Sequence, residues 1–162
     1  MRERPTARVL LLDPQDRILL MKGRFPGDPA APGAWFTLGG GVEAGETYEA
    51  AALREVIEET GFSDVELGPL IWRRDAIYRD RAQNPWRFRE RYFVARCGGA
   101  EISRAGWQAL EHELIDDIRW WTLDELAACA EPVVPENLAE LLGGNLAGRP
   151  PAAGPRPSAK DP

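Results

Sequence analysis

"GGVEAGETYEAAALREVIEETGF", residues 40–62, places a glycine run ahead of a segment that carries Glu55, Glu58 and Glu59. Thr47 suits a helix N-cap, because its hydroxyl accepts a backbone N–H left unpaired at the helix start. Gly61 suits the other end, where the left-handed conformation stops a helix. The stretch therefore predicts a helix from about Thr47 to Thr60. Each helical residue advances about 100°, so Glu58 and Glu59 fall about 60° behind and about 40° ahead of Glu55. All three carboxylates share one narrow face. Ala50, Leu53 and Ile57 fall on the opposite face and are expected to pack on a sheet. Like charges at these spacings repel by a few tenths of a kcal/mol per pair. Arg54 offsets part of that. A bound dication would remove it, because close-set carboxylate oxygens are what Mg²⁺ takes as ligands. A solvated acidic face is the simpler account of "EVIEE" alone. The glycines change the balance, since they let the backbone approach the carboxylates and offer a carbonyl as a further oxygen ligand.

Working outward, "ARVLLL" and "RILLM" read as strands joined by the turn "DPQD". "KGRFPGDPAAPGA" reads as a loop, and "WFTL" as a strand entering Gly39–Gly41. "DVELGPLIWRR" reads as a strand with a Gly-Pro interruption. "WRFRERYFVAR" alternates: Trp86, Phe88, Tyr92 and Val94 share one face and Arg87, Arg89 and Arg91 the other, with Glu90 as a carboxylate among the apolar positions. "IRWWT" is a strand, "LDELAACA" a helix and "PENLAELLGG" a last short helix. The pattern predicts one α+β domain, residues 1–147, with a mixed sheet between helices. Residues 148–162, rich in Pro and Ala, have little to bury and are expected to form a disordered tail.

The chain of 162 residues is long enough for one domain and its core. It has no apolar run near the ~20 residues of a membrane span and no signal-peptide core. Cys97 and Cys129 show no metal-ligand spacing, and cysteine usage fits a reducing, cytoplasmic home. The net charge of -6 argues against a nonspecific nucleic-acid surface. No nucleic acid or membrane is expected as a partner. A phosphate-bearing small molecule held through a divalent cation remains open.

The segment resembles the Nudix box, Gly-x5-Glu-x7-Arg-Glu-U-x-Glu-Glu-x-Gly-U, with U a bulky aliphatic residue. Gly40, Glu46, Arg54, Glu55, Val56, Glu58, Glu59, Gly61 and Phe62 fill its defined positions. Phe62 departs slightly from the aliphatic consensus. Upstream, "WFTLGGG" is similar to the family's Trp-x-x-Pro-Gly-Gly entry, with Leu38 for proline. Downstream, "IRWWTLDEL" resembles the strand and helix that close the fold, so the likeness covers roughly residues 6–142.

The resemblance implies a Nudix fold and a Mg²⁺-dependent hydrolase, with Mn²⁺ as a substitute, acting on a nucleoside diphosphate linked to another group. It implies Glu55, Glu58, Glu59 and the Gly39 carbonyl as metal ligands. Arg54 would orient the glutamates and Glu46 would support the loop–helix junction. In some relatives the general base is a box glutamate, here Glu55 or Glu58, and in others a glutamate from a later loop. "LEHELIDD" offers Glu113 as the first choice and Glu111 as the second. Glu90 is a further candidate, since a carboxylate on an apolar strand face needs a partner.

Substrate marks are weaker. Tyr78, sixteen residues past the box, resembles the mark of dinucleoside polyphosphate hydrolases. "NPWRF" lacks the second proline of the NADH-cleaving branch, Pro69 lies too near the box for the ADP-ribose mark, and the coenzyme A signature is absent. Trp35 is a candidate to stack on a base. Arg89, within the run Arg73, Arg74, Arg79, Arg81, Arg87, Arg89 and Arg91, is a candidate to hold phosphate. His112 reads as surface. Nucleoside triphosphates or dinucleoside polyphosphates are favoured over nucleotide sugars such as ADP-ribose. The alternatives are a nucleotide-sensing module without turnover and an isoprenoid diphosphate isomerase. A homodimer is compatible with the chain.

Overall fold

"ARVLLL" has no polar alternation because both faces of its strand are covered. In the computed structural model, which describes residues 1–24 and 32–146, this run lies in β1 (Arg2–Leu12). Ala7, Val9 and Leu11 point into one core, and Leu10 and Leu12 into another. The turn after it is held by Asp13, whose Oδ1 accepts from the backbone N–H of Gln15 and Arg17, each at 2.9 Å. β2 (Ile18–Gly23) then pairs antiparallel with β1 and with β3 (Ala34–Gly41).

The remaining elements are α1 (Tyr48–Thr60), β4 (Glu66–Arg79), β5 (Pro85–Arg96), α2 (Ala109–Leu114), β6 (Ile115–Trp121), α3 (Leu123–Ala127), β7 (Val133–Val134) and α4 (Leu138–Gly143). Among the described residues they form one seven-stranded mixed sheet in the order β4-β5-β1-β2-β3-β7. β6 pairs with β2, and β1 also pairs with β3. β5 runs parallel to β1, placing Trp86 beside Arg2, Phe88 beside Arg4 and Glu90 beside Thr6. The Gly68-Pro69 interruption appears as register shifts between Leu67 and Trp72. α1 covers one face of the sheet, and α3 and α4 cover the other. This is the expected α+β sandwich. The expected tail at 148–162 lies outside the described residues, as does most of the expected loop between β2 and β3.

Two short elements escape the sequence pattern. α2 forms where "LEHELIDD" read as an acidic loop, started by a capping box between Gln108 and Glu111. β7 has only two residues and is set by pairing with Trp35 and Phe36, which no local signal reveals.

The buried face of α1 also differs from expectation. Thr47 caps it, accepting from Ala50 N–H at 3.1 Å, and Gly61 ends it with φ 74°. Yet Ala50 is exposed and Ile57 is 49 % exposed. The buried side chains are Ala51, Ala52, Val56, Glu59 and Thr60. The helix lies close to the sheet on small residues, and its acidic stripe flanks the packing seam instead of opposing it.

Glu90 is 1 % exposed. Arg74 Nε lies 2.8 Å from its Oε2 and Arg8 Nε 3.4 Å from its Oε1, and the Tyr92 hydroxyl donates to Oε2 at 3.1 Å. The lone carboxylate of the apolar face is thus fully engaged, which removes it as a general base.

Candidate active site

The strand end Gly39–Gly41 and helix α1 build the site together. Gly39 has φ 134°, a conformation that side chains rarely adopt, and a Cβ there would collide with the Ala7 carbonyl oxygen. A Cβ on Gly40 would run into the Glu55 carboxylate. Only glycine lets this strand lie against the acidic stripe.

Each glutamate has its own setting. Glu59 is 5 % exposed and accepts from the Gly39 N–H at 2.8 Å. Burial pushes its carboxyl well above the ordinary range, and the neighbouring Glu55 and Glu111 add to the effect. Glu55 is raised too, first by burial, against the opposing pull of Arg54. Glu58 is the most open of the three, its side chain 34 % exposed. Arg54 ties the group together. Its Nε and Nη2 grip Glu46 at 2.8 Å each, Nη2 also donates to the Gly41 carbonyl at 2.9 Å, and Nη1 donates to Glu55 at 2.8 Å. Glu46 is pulled down to about 2 by its bonds to Arg54 and to the Glu43 backbone. Arg54 thus bridges Glu46, Glu55 and the Gly41 carbonyl.

The chain after β5 folds over the far end of α1. Trp107 Nε1 donates to the Glu59 carbonyl at 2.7 Å, and the Ser103 N–H donates to the Thr60 carbonyl at 2.8 Å. Gly106 packs against the Glu58 backbone. This clamp delivers α2 and Glu111 to the cluster. Glu111 Oε2 is buried without a hydrogen-bond partner. Burial raises its pKa, and Glu58 adds to the rise. Glu113, the first choice from sequence, is exposed, and its backbone carbonyl accepts from Arg24. The helical turn of α2 puts Glu111 inward and Glu113 outward. The Gln108/Glu111 capping spacing was the available signal for that turn.

The expected substrate residues do not share one place. Trp35 is 3 % exposed, packs edge-on against Trp121 at 4.9 Å and donates from Nε1 to Glu131. It is core, and its ring is not free to stack on a base. Arg89 lies 3.7 Å from Glu3, on the opposite face of β5 from the Tyr78 side. Tyr78 does line a cavity. With Trp72, Arg74, Pro135, Glu136 and Asn137 it borders about 540 Å³ on the α4 side of the sheet, and its hydroxyl accepts from Arg74 Nη2 at 2.8 Å. Burial raises the Tyr78 phenol. Trp72 and Asn137 carried no sequence mark, and Arg74 stood only within the arginine run. Arg8, beside Gly39 in the β1–β3 ladder, joins the two regions, since Glu90 and, more weakly, Glu59 both act on it.

Among the described residues no three acidic, His or Cys side chains already form a closed metal cage. The donor set still fits Mg²⁺, which binds through one or two carboxylates, waters and substrate phosphates. Four carboxylates of graded exposure, one with an unpartnered oxygen, suit that partial shell.

In the metal-free protein the buried Glu59 charge has a measurable consequence. A carboxyl whose folded pKa is raised contributes stability below its unfolded value of ~4.3, and that contribution disappears as pH rises through the folded value. Glu59→Gln keeps an acceptor for Gly39 without the charge. In chelator at pH 8 the variant is expected to melt about 2–4 °C above wild type, and the gap should close near pH 4. Melting curves at both pH values check this, and equal or lower melting at pH 8 would contradict it.

A family model described as the NUDIX domain matches residues 2–141. An RNA pyrophosphohydrolase of Caulobacter vibrioides is 34% identical over 129 residues, covering 75% of this chain and 73% of the relative. An NAD-capped RNA hydrolase NudC of Stutzerimonas stutzeri is 32% identical over 150 residues, covering 90% of this chain and 46% of the relative. Among solved structures, a MutT NUDIX hydrolase of Burkholderia pseudomallei superposes with TM-score 0.62 at 24% identity, over 83% of this chain and 92% of that one. The chain therefore belongs to the Nudix family as a pyrophosphohydrolase.

Proposed function

We propose that the chain hydrolyses a phosphoanhydride of a nucleotide, with nucleoside triphosphates and dinucleoside polyphosphates ahead of nucleotide sugars such as ADP-ribose. The observation that carries this is the convergence of Glu55, Glu58, Glu59 and Glu111 beside Gly39 and Gly40, with Arg54 locking the set. Glu55, Glu58, Glu59 and the Gly39 carbonyl would hold Mg²⁺ or Mn²⁺. Such a cation neutralises phosphate oxygens and acidifies water when bound. Glu111, with a buried unpartnered oxygen and a raised pKa, is poised to take the proton of the attacking water. The water oxygen bonds to phosphorus, the bridging P–O bond breaks, and the nucleotide fragment leaves with the electron pair. Trp72, Tyr78 and Asn137 line the pocket for the base, and Arg74 offers a guanidinium beside it. A cytoplasmic setting belongs to the same reading.

The names of the relatives favour a second reading, in which the anhydride sits at the 5′ end of an RNA. The deciding experiment is a product screen by chromatography with nucleoside triphosphates, dinucleoside polyphosphates, ADP-ribose, NADH and coenzyme A. Cleavage that needs Mg²⁺ is expected. Undiminished turnover in excess chelator, or binding without cleavage across the panel, would overturn the proposal.

A further inference from the structure

On the sheet face that holds the cavity, β5 and β1 lie beside the β4 residues that line it. The register sets their side chains in rows: Arg74 with Glu90, then Ala76, Phe88 and Arg4, then Tyr78, Trp86 and Arg2. Rows repeat about every 7 Å along the strands. In the outer two rows each β1 arginine sits beside a β5 ring. Arg4 lies over the Phe88 ring at 5.5 Å and Arg2 over the Trp86 ring at 5.3 Å. Tyr78 meets Phe88 edge-on at 4.8 Å. Arg2 and Arg4 are exposed, and neither is paired with a carboxylate among the described residues. The opposite face is different, for there Arg87 and Arg89 are bridged to Glu3. Asp80 closes the strip at the hairpin end, occupied by Asn84, the Ala82 N–H and Trp86 Nε1. At the inner end the Arg4 guanidinium packs against Gly41, on the strand that carries Gly39 and Gly40.

Unpaired guanidinium groups over aromatic rings, in a line that leads to a phosphate-processing site, suit a single-stranded polynucleotide. Its bases stack on rings and its phosphates meet arginines. Arg2 and Arg4 lie on β1, two strands from the β4 residues that line the cavity, so a base held there is not seated on them. We propose that the strip Arg4–Phe88–Arg2–Trp86 binds the first nucleotides of a single-stranded RNA whose 5′ polyphosphate lies at the glutamates. The overall acidic charge does not oppose this, because it is summed over the whole surface and the strip is locally cationic.

The inference rests on the hydrolase reading for its direction, but its test does not. A 3′-fluorescein RNA decamer with a 5′-hydroxyl has nothing to cleave and reads the strip alone by anisotropy. Wild type is expected to bind it, more weakly with rising salt. Arg2→Ala/Arg4→Ala should weaken binding at least tenfold and flatten the log–log salt slope by ~0.7 per lost phosphate contact. With Mg²⁺, wild type should show higher kcat/KM on a 5′-triphosphate decamer than on the matching nucleoside triphosphate, and the double variant should lower that ratio at least tenfold. Unchanged decamer affinity in the double variant, or equal kcat/KM for the two substrates in wild type, would overturn the strip. Failure to cleave either substrate while the decamer still binds through Arg2 and Arg4 would overturn the hydrolase reading alone.

Discussion

Glu58→Gln is expected to lower turnover about 10³-fold while the melting temperature stays within about 2 °C of wild type. Glu58 is the most open of the box glutamates, and its contact with Arg54 is a long one, 3.7 Å from Nη1. An exposed pair of this kind contributes only ~0.3–0.5 kcal/mol, so the fold loses little when it goes. The glutamine keeps the shape but not the charge that a dication needs. Steady-state kinetics at saturating Mg²⁺, beside a thermal melt, separates the two effects. Turnover within tenfold of wild type would remove Glu58 from the chemistry. A large fall in melting temperature would mean that the loss of activity is a loss of fold.

Glu90→Ala is expected to do the reverse, acting on the fold before the chemistry. Glu90 is shared by Arg8, Arg74 and Tyr92. Burial works most strongly on Arg8 and against its charge, yet Glu90, Tyr92, Tyr78 and Glu59 together outweigh it and leave the Arg8 pKa raised. Removing the carboxylate strands two guanidinium groups in a region of low polarity. Breaking a buried pair in this way costs about 3–5 kcal/mol. The melting temperature should fall by about 10 °C or more. Glu90→Gln retains an acceptor oxygen and should lose less. Denaturant titration of the two variants measures the difference, and a loss under 1 kcal/mol for Glu90→Ala would show that water reaches the arginines.

Glu90 also marks where sequence reading reached its limit. Its position in an apolar alternation showed that it needed a partner, and arginines stood nearby in the chain. Which arginines answered depended on β1 and β4 flanking β5, a pairing between segments far apart in sequence. Trp35 failed for a similar reason. An aromatic ahead of a glycine run is equally suited to a ligand or a core, and the Trp121 and Glu131 contacts that decide it come from more than eighty residues away. The buried face of α1 departs from the helical-wheel expectation because its carboxylates do not avoid the sheet. Their burial is tolerated only because Gly39 supplies an N–H and Gly40 supplies space.

Local chemistry determined what local chemistry can. Thr47 and Gly61 bounded α1 through capping. The apolar runs marked most of the strands, and the spacing of Gly40, Glu46, Arg54, Glu55, Glu58 and Glu59 identified the family. These features depend on residues within a few turns of one another, so the chain order carries them. The tertiary structure alone turned Glu111 inward and Glu113 outward, made Trp35 part of the core, separated Arg89 from Tyr78 and lined Arg2 and Arg4 up on the rings of β5. Each of those outcomes is fixed by strand register and by which face a short helix presents. Both are set by long-range packing, where a shift of one residue reverses the direction of every side chain.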